Sequence, residues 1–348
     1  MTDCALSTRE INQFRIDLLR WFGVHQRALP WRQTRDPYRI WVSEIMLQQT
    51  RVAAVIPYYQ RFLERFPDFH ALAQAPEPEL LAQWAGLGYY YRARNLQQAA
   101  RRISERGSFP STYDEIRSLP GVGEYTAAAI ASIAYELPHA AVDGNVLRVL
   151  SRVRDERTNI VSGVGRRRFS ALAKEMLDMA EPGAFNQAMM ELGATICLPK
   201  NPRCLLCPVA KLCRARANGT ENELPVKAAR VATVSECRTV FWIEKDENLL
   251  LWQRPGGERL MPGFWELPEA VHLPDTAPGV KLGSFRHGIT FHSYFFEVRE
   301  ASAPEDIGAC RWVALSRLAS IPASTILKKA QRQARRARAA ISGQASFG

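Results

Sequence analysis

Residues 1 to about 217 alternate apolar and polar positions on a helical period. At Asp36-Pro37 a capping acid precedes proline at a first helical position, and YRIWVSEIMLQQ then carries apolar residues on helical spacing. TRVAAVIPYYQRFLERF follows, with Thr50 as a candidate cap. PEPELLAQWAGL, RARNLQQAARRISERG, EYTAAAIASIAYEL, NVLRVLSRV, RRFSALAKEMLDMA and AFNQAMMELGATIC continue the pattern, punctuated by glycine. This predicts an all-helical domain over 1–216. The polar stretch 217–235 reads as a linker. Beyond it, CRTVFWIEK, NLLLWQRP, SFRHG, ITFHSYFFEV and CRWVAL are short and rich in β-branched and aromatic residues, which predicts a mixed α/β domain over 236–327. Residues 328–348 are basic and of low complexity, and read as a frayed helix or a disordered tail. No internal repeat is visible.

Composition narrows the class. The chain has 348 residues, 47% of them hydrophobic, enough to bury a core in each of two domains. No segment offers the roughly 18 uncharged apolar residues of a membrane span. The N-terminal stretch lacks the basic-then-apolar order of a signal peptide, so a cytoplasmic location is expected, nucleoid-associated in a bacterium. The formal net charge of +11 points to a polyanionic partner. Residues 307–348 hold eight basic residues and no acid, so most of that charge sits in the terminal segment. Specific recognition must therefore rest on local constellations in a nearly neutral body. Lysine is scarce, eight residues in all, and the first is Lys174. Residues 1–173 thus contain no lysine amine for Schiff-base chemistry.

Three constellations carry chemistry. Cys197, Cys204, Cys207 and Cys213 have the spacing C-x6-C-x2-C-x5-C, which can hold a [4Fe–4S] cluster or a tetrahedral zinc. A zinc ribbon brings two C-x2-C knuckles; the single knuckle here suits the cluster better. LPGVGEYTAAAI, from Leu119 to Ile130, sets a tight glycine turn before an alanine-rich helix, where free amides can face a phosphate. Glu44 lies among apolar neighbours in VSEIMLQQT: it is either on an exposed polar stripe or buried, and if buried it can hold a proton near neutrality. Asp143, in AVDGNV, reads as a helix N-cap or as a second carboxylate of one site.

The cysteine spacing resembles the iron–sulfur motif of the endonuclease III and MutY family of DNA glycosylases. LPGVG-x-x-T resembles its helix-hairpin-helix, and SEIMLQQT, VDGNV, RALPWR, GLGYYYRARNL and AFNQAMMELGA resemble MutY segments, over roughly residues 10–325 in all. The resemblance implies a helix-hairpin-helix glycosylase domain with an iron–sulfur subdomain and a [4Fe–4S] cluster on the four cysteines. It implies double-stranded DNA as partner, no membrane, and a monomer. Glu44 is implied to protonate adenine and Asp143 to steady the sugar cation, with Tyr125 and Asn145 beside them. Arg27, Leu29, Trp31 and Gln187 are implied to hold the flipped adenine. Gln49 and Tyr89 are implied to enter the duplex, and Gly121, Val122, Gly123, Lys200 and Arg203 to meet its backbone; Lys211 and Arg214 flank the last cysteine. Bifunctional relatives carry a lysine two residues after the second glycine of GVG, where this chain has Tyr125, so hydrolysis by water is expected.

LWQRPGGERLMPGFWELPEA resembles the C-terminal MutT-like (Nudix-fold) domain of the same family. The VHLPDTAPGV that follows lacks the R-E-x-x-E-E pattern of a working nucleotide hydrolase, so the implied role is reading 8-oxoguanine. The family reads the lesion with Phe-Ser-His, whereas this chain has Phe291-His292-Ser293. Either His292 makes the contact, or the strand shifts register, or discrimination is weaker. The implied activity is monofunctional excision of adenine opposite 8-oxoguanine or guanine. The alternatives are a thymine mismatch glycosylase of the same superfamily, which also lacks the lysine, and a non-catalytic iron–sulfur lesion-binding protein.

Overall fold

The computed structural model describes residues 6–227, 234–257, 262–289, 292–318 and 321–344. The chain divides into two compact units, Met1–Gln83 with Arg92–Ala229, and Trp84–Tyr91 with Arg230–Gly348. The helices in order are α1 (Thr8–His25), α2 (Pro37–Leu47), α3 (Val52–Arg65), α4 (Phe69–Gln74), α5 (Glu77–Trp84), α6 (Tyr91–Arg106), α7 (Tyr113–Arg117), α8 (Glu124–Tyr135), α9 (Gly144–Val153), α10 (Gly163–Met176), α11 (Pro182–Thr195) and α12 (Arg214–Asn218). No described helix is long and apolar enough to cross a membrane.

Local sequence accounts for most helix ends. Ser7 and Glu10 form a capping box on α1, whose buried Ile11, Phe14, Leu18 and Phe22 make one apolar stripe. Asp36 caps α2 through the Tyr38 amide with Pro37 at the first position, as its dipeptide predicts. Thr50 is not the cap of α3: that place falls to Arg51, without a side-chain bond. Thr50 Oγ1 instead lies 3.4 Å from the Arg92 guanidinium, which holds the end of α2. Helices α1, α9, α10 and α11 share one core built on Phe14, Leu18, Val149, Leu150, Phe169 and Leu192. In α2, α8 and α11 burial extends nearly all round, so Glu44, Asn186 and Glu191 in them are held by protein partners rather than by water.

The second unit is α/β. Its strands are β1 (Val234–Trp242), β2 (Glu244–Lys245), β3 (Asn248–Gln253), β4 (Trp265–Glu266), β5 (Lys281–Ile289), β6 (His292–Glu300) and β7 (Cys310–Ala314). One sheet has the order β1-β6-β5, with β1 parallel and β5 antiparallel to β6. The other joins β2, β3 and β4, with β7 also paired to β3. The segment Trp84–Tyr91 belongs with this unit, where the Tyr90 and Phe264 rings lie 4.5 Å apart. Residues 328–344, read as a frayed helix or a disordered tail, are a packed helix: α13 (Thr325–Gln344) buries Ile326, Leu327, Ala330 and Ala334 in the core that the strands share. The arginines hid this apolar stripe from a compositional reading.

Candidate active site

A cavity of about 540 Å³ opens in the first unit, large enough for an extruded nucleobase. Glu44, Tyr125, Asp143 and Asn145 line it together, as do Arg27, Leu29, Trp31, Gln187 and Gln49. They come from the 26–36 segment, α2, the turn between α2 and α3, α8, the start of α9, and α11.

Glu44 is 6% exposed and projects from the apolar α2. Burial pushes its carboxyl up to about 7, with Asp143 adding to the shift and the Tyr125 hydrogen bond and Arg32 opposing it. The Tyr125 hydroxyl lies 2.8 Å from Glu44 Oε2 and 3.1 Å from Met190 Sδ, and its own pKa is driven well above the usual phenol range, chiefly by burial. Arg92 holds the C-terminal end of α2 by donating to the carbonyls of Ile45 at 2.7 Å and Gln48 at 2.6 Å. Gln49 follows in the left-handed region at φ +59°.

Asp143 is both N-cap and cavity residue. Its Oδ1 accepts the amides of Asn145 at 2.9 Å and Val146 at 2.7 Å, and its Oδ2 accepts the Asn145 side-chain amide at 2.8 Å. Burial raises its pKa, and these bonds partly offset that. Arg148 extends the chain of bonds. It donates to Asn145 Oδ1 at 2.9 Å, to the Gly193 carbonyl at 2.8 Å and to the Cys197 carbonyl at 2.7 Å. The cavity carboxylate is thereby tied, through the side chains of Asn145 and Arg148, to the first residue of the cysteine motif.

The cavity lining also holds an ion cluster that spacing arguments miss. Glu191, in α11, is buried, and its two oxygens accept from Arg27 Nε at 2.7 Å, Arg27 Nη2 at 2.6 Å and Arg32 Nη2 at 2.8 Å. Burial would raise its carboxyl, but the bonds from Arg27 and Arg32 outweigh that and bring it to about 2. Arg27 thus has one guanidinium edge, Nε and Nη2, already committed, and the wall presents the Arg27–Glu191–Arg32 cluster rather than a lone arginine. The one sequence signal for Glu191 was an acid inside the apolar run AMMELGA. Gln187 Nε2 lies 3.4 Å from the Gly183 carbonyl, and Trp31 packs edge-on against Tyr59.

The helix-hairpin-helix turn joins α7 to α8. Gly121 has φ +75°, and a Cβ there would sit 2.8 Å from the Asn95 Cβ, so glycine is required twice over. Val122 does not offer a phosphate-facing amide: its N–H goes to the Leu119 carbonyl at 3.1 Å and its side chain is buried. Gly123 caps α8. Tyr89, in the other unit, is 47% exposed and left-handed at φ +52°. Lys200 and Arg203 are exposed on the loop between the first two cysteines.

The four cysteines line one void and form no disulfide. Burial pushes Cys207 up to about 12 and Cys213 to about 11. The buried Arg152 places Nη1 3.2 Å from Cys197 Sγ. Among the described residues no three His, Cys, Asp or Glu side chains are grouped to hold a metal ion. In the second unit, His292 Nδ1 lies 2.9 Å from Glu236 Oε1 and its ring stacks on Tyr294; Ser293 is half-buried, and Phe291 lies outside the described residues.

Comparison with known proteins agrees with this layout. Residues 42–170 match the HhH-GPD superfamily base excision DNA repair protein family. An adenine DNA glycosylase of Buchnera aphidicola subsp. Baizongia pistaciae is 36% identical over 251 residues, 68% of this chain and 70% of that protein. One of Mus musculus is 45% identical over 239 residues, 66% of this chain and 46% of that protein. The chain thus spans somewhat under half the length of the mammalian relatives it matches. Among solved structures, a thermostable thymine-DNA glycosylase is 29% identical with a TM-score of 0.55, covering 60% of this chain and 98% of that one. A non-covalent endonuclease III–DNA complex is 25% identical with a TM-score of 0.53, covering 62% and 99%. Fold and matches together define a helix-hairpin-helix protein of the base excision repair superfamily. Within it, the chain belongs to the adenine DNA glycosylase family.

Proposed function

We propose that the chain hydrolyses the N-glycosidic bond of adenine opposite 8-oxoguanine or guanine in duplex DNA. The observation that carries this reading is a buried carboxyl with a pKa near neutrality, Glu44, facing the same base-sized cavity as the capped Asp143. The target base must leave the stack to be reached. Protonated Glu44 gives its proton to the purine as the bond to C1′ breaks with its electron pair on the base. Asp143, ionised, steadies the oxocarbenium-like sugar. Water then bonds C1′ and yields its proton to the Glu44 carboxylate. Leu29, Trp31 and Gln187 hold the base, with Arg27 acting through its cluster with Glu191 and Arg32. Gln49 and Tyr89 enter the duplex. The hairpin glycines, Lys200 and Arg203 meet phosphates.

Tyr125 occupies the position of the bifunctional relatives' lysine and serves Glu44 instead. Duplexes carrying A or T opposite G or 8-oxoguanine, incubated with the chain and then treated with alkali, test the reading. Cleavage is expected at A alone, with no borohydride-trapped adduct. Cleavage at T alone, or at neither, overturns it. The rate is expected to follow a bell in pH: it falls as pH rises through about 7, where Glu44 loses its proton, and falls in acid as Asp143 gains one. A pH-independent rate would contradict the two-carboxylate scheme.

The cysteine set fits a [4Fe–4S] cluster. All four thiols line one void, and four cysteine thiolates are the donor set that such a cluster takes. Bound there, the cluster would staple the loop that carries Lys200 and Arg203. Arg152 would supply a positive charge and an N–H to Cys197 Sγ. We assign the unit Met1–Gln83 with Arg92–Ala229 as catalytic and the unit Trp84–Tyr91 with Arg230–Gly348 as a MutT-like reader of the opposite base, with His292 and Ser293 at the start of β6; the sequence-based bounds at 216, 235 and 327 give way because residues up to Ala229 cluster with the helices and α13 packs on the strands.

A further inference from the structure

We propose that Asn186 is a positioning residue for Asp143, whose carboxamide fixes the loop that delivers the carboxylate to the cavity. The assay of this role rests on the adenine-excision reading; the geometry does not. Asn186 sits on α11, 3% exposed, and does not line the cavity. Its Oδ1 accepts the Ala141 amide at 3.0 Å. Its Nδ2 donates to the His139 carbonyl at 2.8 Å and to Ser132 Oγ at 2.9 Å. These bonds clamp the irregular loop between α8 and α9 at two backbone points, the second only two residues before Asp143. In a buried setting each bond must be matched, because a backbone group left without a partner bears its full desolvation cost. An amide offers an acceptor and a donor edge; a carboxylate of the same shape offers no donor.

The same helix fixes α9 from the other side. Gly193, seven residues on and so on the same face of α11 as Asn186, lies so close to α9 that a Cβ there would fall 2.6 Å from the Asn145 Cβ. Helix α11 therefore holds both ends of the segment 139–145: the loop through Asn186 and the first turn of α9 through Gly193. Asp143 lies between these two fixed points, with its oxygens capped by Asn145 and Val146. Its placement against a substrate sugar is set by α11, although no α11 residue is bonded to it in the contacts described above.

The test compares the whole wild-type chain with Asn186→Asp and Asn186→Ala on a duplex carrying adenine opposite 8-oxoguanine. Single-turnover excision by Asn186→Asp is expected to slow by about 10²-fold, the cost of a displacement on the order of 1 Å at a reacting centre. Duplex affinity is expected to hold. In Asn186→Ala, which adds no charge, the acid limb of the pH profile should move to higher pH, because Asp143 loses amides that favour its ionised form, while the alkaline limb set by Glu44 stays. An unchanged rate, or a slower rate with both limbs in place, overturns the proposal. If wild type itself does not excise adenine, the functional reading fails separately. Amide exchange at Asn145 and Val146 then decides the positioning: protection at these two donors to Asp143 should drop in Asn186→Ala, and full retention overturns the role. The same exchange measurement on Asn186→Ala serves if Asn186→Asp does not fold.

Discussion

Glu44→Gln is expected to cut single-turnover adenine excision by about 10³-fold or more, at the upper part of the range for general acid catalysis, while duplex affinity stays near wild type. The substitution keeps the shape of the side chain. The Tyr125 hydroxyl, 2.8 Å from Glu44 Oε2, can donate to the glutamine oxygen as well as to the carboxyl. What disappears is the proton that a carboxyl pushed up to about 7 by burial can release to a leaving purine. A second measurement separates this loss from misfolding. Because the folded pKa of Glu44 lies above its unfolded value, the folded chain holds the proton more tightly. Its contribution to stability is fully present below the unfolded pKa near 4.5 and is lost as pH rises through about 7. Glu44→Gln should remove that dependence and melt no lower than wild type on the alkaline side. Excision retained by the variant would falsify the assignment of the acid.

Asp143→Asn is expected to lower the same rate by about 10²- to 10³-fold, the usual effect of removing one charge aimed at a developing opposite charge. The helix itself should survive, since asparagine and aspartate are comparable N-caps and the amides of Asn145 and Val146 can bond to either. The loss is sharpened by what surrounds Oδ2. Asn145 presents its Nδ2 there, and it cannot turn its amide without giving up the bond that its Oδ1 accepts from Arg148. An asparagine at 143 therefore meets donor with donor. The check is a rate measurement beside a melting curve: a large rate loss with a small melting shift is expected, and a near-wild-type rate would remove Asp143 from the chemistry.

Local spacing carried much of this molecule. The cap at Asp36-Pro37, the glycine turn at 121–123 and the single-knuckle cysteine motif are encoded within a few residues, and each depends on backbone geometry that neighbours dictate. Thr50 failed as a cap because a longer-range partner, Arg92, lies beside it. The packing of the helix at 325–344 was missed because its polar face dominates the composition, while Leu327, Ala330 and Ala334 meet strands far away in sequence.

The amino-acid sequence by itself determined the helical and α/β halves, the spacing of the four cysteines, and the absence of any lysine before residue 174 that could attack a sugar. Only the tertiary structure decided that Glu44 is buried, that it shares a cavity with Asp143 from another helix, that Arg27 is bound to Glu191, and that Asn186 clamps the loop before Asp143. The physical reason is common to all four. A carboxyl's proton affinity and an amide's partners are set by what is packed against them, and those neighbours are brought in by long-range burial of apolar helix faces, to which local spacing is blind.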